Sequence, residues 1–117
     1  KSKIALTDGT QKRDFIYIYD VVESFMTVVK HVFPAGFTEY EVGKGKSIEL
    51  RLFCIALADA FGVSGEKLHF GALDHRPNEI MDSSADIGPL VSIGWSPKWD
   101  LVTAVNDLAQ KQKFLGS

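Results

Sequence analysis

Arginine is scarce in this chain, three residues against ten lysines, and two of the three occupy distinctive settings. Arg13 opens an apolar run beside Asp14, and Arg76 lies in a polar loop within His75-Arg76-Pro77-Asn78-Glu79. A guanidinium presents a planar, permanently charged fork that matches phosphate or carboxylate oxygens, which an ammonium does not. The same residues suit internal ion pairs equally well, Arg13 with Asp14 or Arg76 with Glu79. Residue types alone leave both readings open.

Other patterns carry less. Tyr40 and Lys44 have the Y-x-x-x-K spacing of a reductase pair. Such a pair needs a helix, where residues i and i+4 lie about 5–6 Å apart and the lysine can lower the tyrosine pKa. Here the segment reads as a strand entering a glycine turn, which separates the two by about 13 Å. Gly45-Lys46-Ser47 has the ending of a phosphate-binding loop, but Tyr40 stands where the motif requires its first glycine. What survives is a weaker role, backbone N–H groups near Ser47 facing an anion at a helix start. His31, His69 and His75 lack metal-ligand spacing, Cys54 falls inside an apolar segment as a core thiol, and Asp82 and Asp86 suit loops and caps. No catalytic residue and no metal site is expected within the chain.

The elements that would position the arginines alternate. Residues 13–19 are aromatic and β-branched, a strand covered on both faces, after which Asp20 caps a helix. That helix carries an apolar stripe from Val21 through Val22, Phe25, Met26 and Val29 to Phe33. A short strand at 38–42 ends in Gly43, Ser47 caps a very apolar helix over 48–61, and Gly62 closes it. Residues 68–70 form a third strand and 71–84 a long loop. Asp86 caps a short helix through Ile93, and Asp100 caps a last one with the face Leu101, Ala104, Val105, Leu108 and Ala109. The order is that of an α/β fold. Three strands and so apolar a middle helix require more protein than 117 residues provide, so the chain reads as a piece of a larger α/β protein. A small independent α/β interaction domain is the competing reading.

Composition narrows the rest. The formal charge is 13 − 15 = −2, the pI is near 5.9, and there is one cysteine. These values offer no footprint for nucleic acid or anionic membrane and no internal disulfide, and they favour a cytoplasmic setting. No apolar run reaches the length of a membrane span.

At the arginines the sequence takes on a family likeness. Arg13-Asp14-Phe15-Ile16-Tyr17-Ile18-Tyr19-Asp20-Val21-Val22 resembles the R-D-F-I-Y-V-x-D-V-V segment of extended short-chain dehydrogenase/reductases, the NAD(P)-dependent nucleotide-sugar epimerases and dehydratases. Tyr40 to Ser47 resembles their Y-N-V-G-T-G-x-S turn, Arg76-Pro77-Asn78-Glu79 their R-P-G-D/E element, and Ala85-Asp86-Ile87 with Ile93-Gly94-Trp95-Ser96-Pro97 their A-D-I…L-G-W-x-P series. The general comparison is with dTDP-glucose 4,6-dehydratase and CDP-abequose synthase types. The resemblance implies the C-terminal part of an extended Rossmann-type dehydrogenase. Residues 1–117 would form its nucleotide-sugar-binding region, with 38–43 contributing a strand to the Rossmann sheet. It implies substrate contacts from Arg13, Arg76 and Glu79, with the two arginines on a diphosphate. It also implies NAD or NADP in the parent protein, held outside this piece, which alone would be inactive. A non-catalytic module derived from the same fold remains the alternative. Lost neighbours would leave apolar surface on 38–42 and 48–61, through which copies of the chain could associate.

Overall fold

The computed structural model describes residues 3–31 and 36–116, with side-chain surroundings through residue 113. It is an α/β arrangement of four two-residue strands and four helices among those residues. β1 (Ile4–Ala5) pairs in parallel with β4 (Leu68–His69), and β2 (Lys12–Arg13) pairs antiparallel with β3 (Ile48–Glu49). Lys12 also donates its N–H to the Met81 carbonyl at 2.7 Å and bridges Asp82. Three distant stretches therefore meet around Lys12 and Arg13.

The helices are α1 (Ile18–Lys30), α2 (Leu50–Ala60), α3 (Gly88–Ser92) and α4 (Leu101–Gly116). α2 packs on α4, and Phe53 of α2 stacks on Phe15 with ring centroids 4.1 Å apart. The most buried apolar side chains are Leu90, Trp95, Val105, Ala109 and Ala58. Two ends follow the expected chemistry. Gly62, at φ 72°, lets its own N–H reach the Asp59 carbonyl while Val63 N–H reaches that of Ala58, the paired closure of a left-handed helix end. Asp100 accepts the Thr103 N–H at 2.8 Å and so caps α4.

Several expectations are corrected. Of the strand expected at 13–19 only Arg13 joins a ladder, and helical hydrogen bonding begins at Ile18 with Asp20 inside the first turn rather than before it. Ser47 does not cap α2; its hydroxyl donates to Asp82 Oδ1 at 2.6 Å, and the two residues after it join a ladder. Residues 38–42 form no ladder with any described residue, as befits a strand whose expected partners belong to a sheet outside this chain. β1 was not anticipated; two residues carry too little periodicity to announce a strand. The end of the α1 stripe, Val32 and Phe33, lies outside the described residues.

The stripe itself faces outward. Asp20 and Ser24 are the buried members of α1, whereas Phe25 is 64% and Val29 83% exposed, and Ile18, Val22 and Met26 are exposed with them. α2 also leaves Leu52 and Ile55 in the open. Among the described residues no helix is long and apolar enough to cross a membrane.

Candidate anion-binding site

Asp14 organises the floor of the site. Its carboxylate accepts the backbone N–H of Lys44 at 2.7 Å, of Gly45 at 2.9 Å and of Ala85 at 3.0 Å. The glycine turn at 43–45 is thus filled by an internal anion, not open to an external one. A Cβ at Gly43 would lie 2.6 Å from Asp14 Oδ2 and 2.7 Å from the Ala85 Cβ, so only glycine admits this approach. The first amides of α2 are equally committed: Leu50 N–H goes to Gln11 O and Arg51 N–H to Gly9 O. The weaker anion-binding role for the helix start at Ser47 is therefore withdrawn, because the amides of Lys44, Gly45, Leu50 and Arg51 already have partners.

Arg13, next to this hub, turns toward the 71–84 loop. Its Nη2 donates to Glu79 Oε2 at 2.8 Å and its Nη1 to the Lys12 carbonyl at 2.8 Å. The Glu79 side chain is 12% exposed and that of Arg13 31%, so this pair is partly withdrawn from solvent. Glu79 ends a turn in which its N–H returns to the Arg76 carbonyl at 3.1 Å, with Pro77 second and Asn78 third at φ 62°. That is a type II turn, whose third position requires left-handed backbone and accepts asparagine where glycine is usual. Arg76 opens the same turn and is exposed; its side chain makes no hydrogen bond or ion pair with a described residue. Of the ion pairs foreseen from sequence, neither forms. Arg13 takes Glu79, and Asp14 takes backbone amides. The structure brings Arg13 and Glu79 into contact and places Arg76 three residues away on one turn.

A second carboxylate anchors another junction. Asp20 accepts the N–H groups of Lys98 and Trp99 at 2.9 and 3.1 Å, and its backbone carbonyl accepts the Trp95 indole N–H at 3.0 Å. Trp99 then joins Tyr17 and Tyr19 in an aromatic cluster. The Tyr17 hydroxyl donates to Asp107 Oδ2 at 2.6 Å, and Lys111 binds the same carboxylate at 2.8 and 3.0 Å. Burial and this hydrogen bond push the Tyr17 phenol up to about 12. Between Phe15, Tyr17, Phe53, Trp99 and Val105 lies a largely apolar cleft of about 370 Å³ with Lys44 and Lys46 at its edge. Asp20 and Tyr17 were not singled out as anchors from sequence; both partners lie in chain segments far away, and no local pattern encodes them.

The remaining candidates keep their plain roles. Tyr40 and Lys44 lie outside any helix, and the Lys44 ammonium donates to the Trp99 carbonyl. His75 Nε2 contacts Asp8 Oδ1 at 2.7 Å. Among the described residues no group of three or more His, Cys, Asp or Glu side chains gathers to hold a metal. Cys54 is half-buried, and burial raises its thiol pKa. Asp82 receives Ser47; Asp86 does not cap α3 as expected, because Ile87 holds the N-cap position without a side-chain bond, and the Asp86 carboxylate instead accepts the Gly88 N–H at 3.1 Å in a turn two residues long.

The sequence profile of the NAD dependent epimerase/dehydratase family matches residues 1–43. CDP-abequose synthase of Salmonella muenchen is 41% identical over 106 residues, 90% of this chain and 36% of that protein. The enzyme of the same name from Salmonella typhimurium is 33% identical over 95% of this chain and 38% of its own length. The chain thus spans little more than a third of these curated relatives. Among solved structures, UDP-glucose 4-epimerase from Bifidobacterium longum in complex with NAD+ and UDP superposes with a TM-score of 0.79 at 20% identity, over 98% of this chain and 36% of that one. dTDP-glucose 4,6-dehydratase from Bacillus anthracis in complex with NAD gives 0.75 at 14% identity, over 97% and 35%. These likenesses establish a shared fold.

Proposed function

We propose that this chain, a member of the extended short-chain dehydrogenase/reductase family of nucleotide-sugar epimerases and dehydratases, is the nucleotide-sugar-binding portion of its parent enzyme. Arg13 and Arg76 would hold the diphosphate of a nucleotide-sugar from two sides. The observation that carries this reading is the 2.8 Å contact between Arg13 and Glu79, which ties the strand arginine to the turn that presents Arg76. Two forked cations would suit a diphosphate, whose several oxygens each fork can engage in pairs. Glu79 would lie close enough to that ligand to meet a ribose hydroxyl or to orient an arginine.

Residues 38–43 would add a strand to a sheet formed by the rest of the parent protein, and NAD or NADP would be held there. Support comes from the relatives' greater length and from NAD in the superposed structures. The glycine turn of this chain is filled by Asp14, so no part of the hydride chemistry is assigned to it. The clamp is tested by calorimetric titration of the parent enzyme with a nucleoside diphosphate. Arg13→Lys and Arg76→Lys should each weaken binding by about 1–3 kcal/mol while dinucleotide affinity holds. Unchanged nucleoside diphosphate affinity in both variants would refute it.

A further inference from the structure

We infer that residues 41–45 and 85–87 form a fixed joint between the strand at 38–43 and the rest of the chain, braced by Glu41 and Lys44. This inference rests on the sheet strand proposed above. A glycine turn leaving a sheet is where a hinge would be sought, because glycine absorbs large backbone changes. Here the turn is interlocked. A Cβ on Gly43 would lie 2.7 Å from that of Ala85, and one on Gly45 would lie 3.0 Å from Ile87 Cδ1. The Asp14 carboxylate accepts amides from both stretches, Lys44 and Gly45 on one and Ala85 on the other.

Glu41 and Lys44 add two further ties. The Glu41 carboxylate accepts the Asp86 N–H at 3.0 Å. The Lys44 ammonium donates to the Trp99 carbonyl, while the Trp99 amide is held by Asp20 in the first turn of α1. The turn after the strand is thus tied, through one residue, to the helix ahead of the strand. Both ties involve a charged group, and such hydrogen bonds are stronger than neutral ones. In the family pattern Y-N-V-G-T-G-x-S the same two positions hold asparagine and threonine. Asparagine is one methylene shorter and uncharged, and threonine ends too close to the backbone to reach Trp99. The joint of this chain is therefore stiffer than that pattern provides, and the parent enzyme does not close on a ligand by bending there.

Residue-resolved amide hydrogen exchange of the parent enzyme tests this, without ligand and with saturating cytidine 5′-diphosphate. In the wild type the amides of Lys44, Gly45, Ala85 and Asp86 should exchange slowly, and at the same rates in both conditions. Glu41→Asn should speed Asp86 by about fivefold, and Lys44→Thr should speed Trp99 by a similar factor. Glu41→Gln, which keeps an oxygen at the same reach, should restore most of the protection at Asp86. Protection that appears at the four amides only with the nucleotide would make the turn a hinge and overturn the inference. So would wild-type rates in both Glu41→Asn and Lys44→Thr. Rapid exchange throughout 39–42 would refute the strand placement and the joint with it. The ligand-free rates decide the joint whether or not the nucleotide binds, so a failed diphosphate clamp is read separately, from the titration.

Discussion

Trp95 donates its indole N–H to the backbone carbonyl of Asp20 at 3.0 Å, joining two residues that are 2% and 1% exposed. The Asp20 carboxylate completes the junction by accepting the amides of Lys98 and Trp99. It also lies in the first turn of α1, where the helix dipole favours a negative charge. One side chain thus fixes α1 against the connector that leads into α4. Asp20→Ala would leave two amides without acceptors and should destabilise the chain by about 2–4 kcal/mol, with Asp20→Asn closer to half of that. Urea unfolding followed by tryptophan fluorescence measures it. The midpoint should fall while the slope holds.

Asp14 and Gly43 form one junction and should behave as one. Asp14→Ala removes the acceptor for three amides, and Gly43→Ala drives a methyl group into the space that carboxylate occupies. Each change should cost about 2–3 kcal/mol, and the double variant should cost clearly less than the sum. Thermal unfolding of the four proteins in the cycle provides the test. Full additivity would mean that the two residues do not share a site.

What the sequence disclosed was chiefly what is local. Gly62 ends α2 and Asp100 caps α4 because both signals act over a few residues, and the apolar period of α4 does bury Val105 and Ala109. The stripe on α1 was equally regular, yet period reveals that a face is apolar and not what covers it. Asp20 shows the same limit from the polar side. An aspartate before an apolar run is a capping signal, but its partners are 78 and 79 residues away. The surroundings of the arginines were half legible: Arg13 and Arg76 stand in distinctive settings, and Glu79 is a candidate ion-pair partner. Their pairing was not, since near neighbours were matched and the chain instead matched across 66 residues.

The outward stripe on α1 has a consequence for solution behaviour. Ile18, Val22, Phe25, Met26 and Val29 lie on one face at helical spacing, and the last is 83% exposed. A contiguous apolar face of this kind favours association as concentration rises. Sedimentation of the isolated chain over a hundredfold range of concentration should show a growing average mass. Phe25→Lys with Val29→Lys should return it to monomer without loss of thermal stability, since neither side chain is buried. A wild-type chain that stays monomeric across that range would refute this.

The Tyr17–Asp107–Lys111 latch sets limits on stability at both ends of the pH scale. Tyr17 is pushed up to about 12 by burial and by its hydrogen bond to Asp107. Its proton is therefore held more tightly in the folded chain than in the unfolded one, where a phenol titrates near its ordinary value of about 10. That contribution is complete below pH 10 and is lost as pH rises toward 12. Asp107 has the opposite sign. Hydrogen bonds from Lys111 and then Tyr17 lower its pKa, so its contribution is present above the ordinary value of 3.8 and is lost as pH falls below it. Lys111 is in turn held in its charged form by Asp107. Tyr17→Phe should be destabilising near neutrality by about 1 kcal/mol, the worth of one hydrogen bond to a charged acceptor at a partly exposed site. It should also flatten the loss of stability between pH 10 and 12, because the group that titrates there is gone. Thermal midpoints of both proteins measured from pH 9 to 12 decide the matter, with phenolate absorbance as a direct count of the tyrosines that ionise. Parallel curves for the two proteins would show that Tyr17 does not carry the alkaline limb.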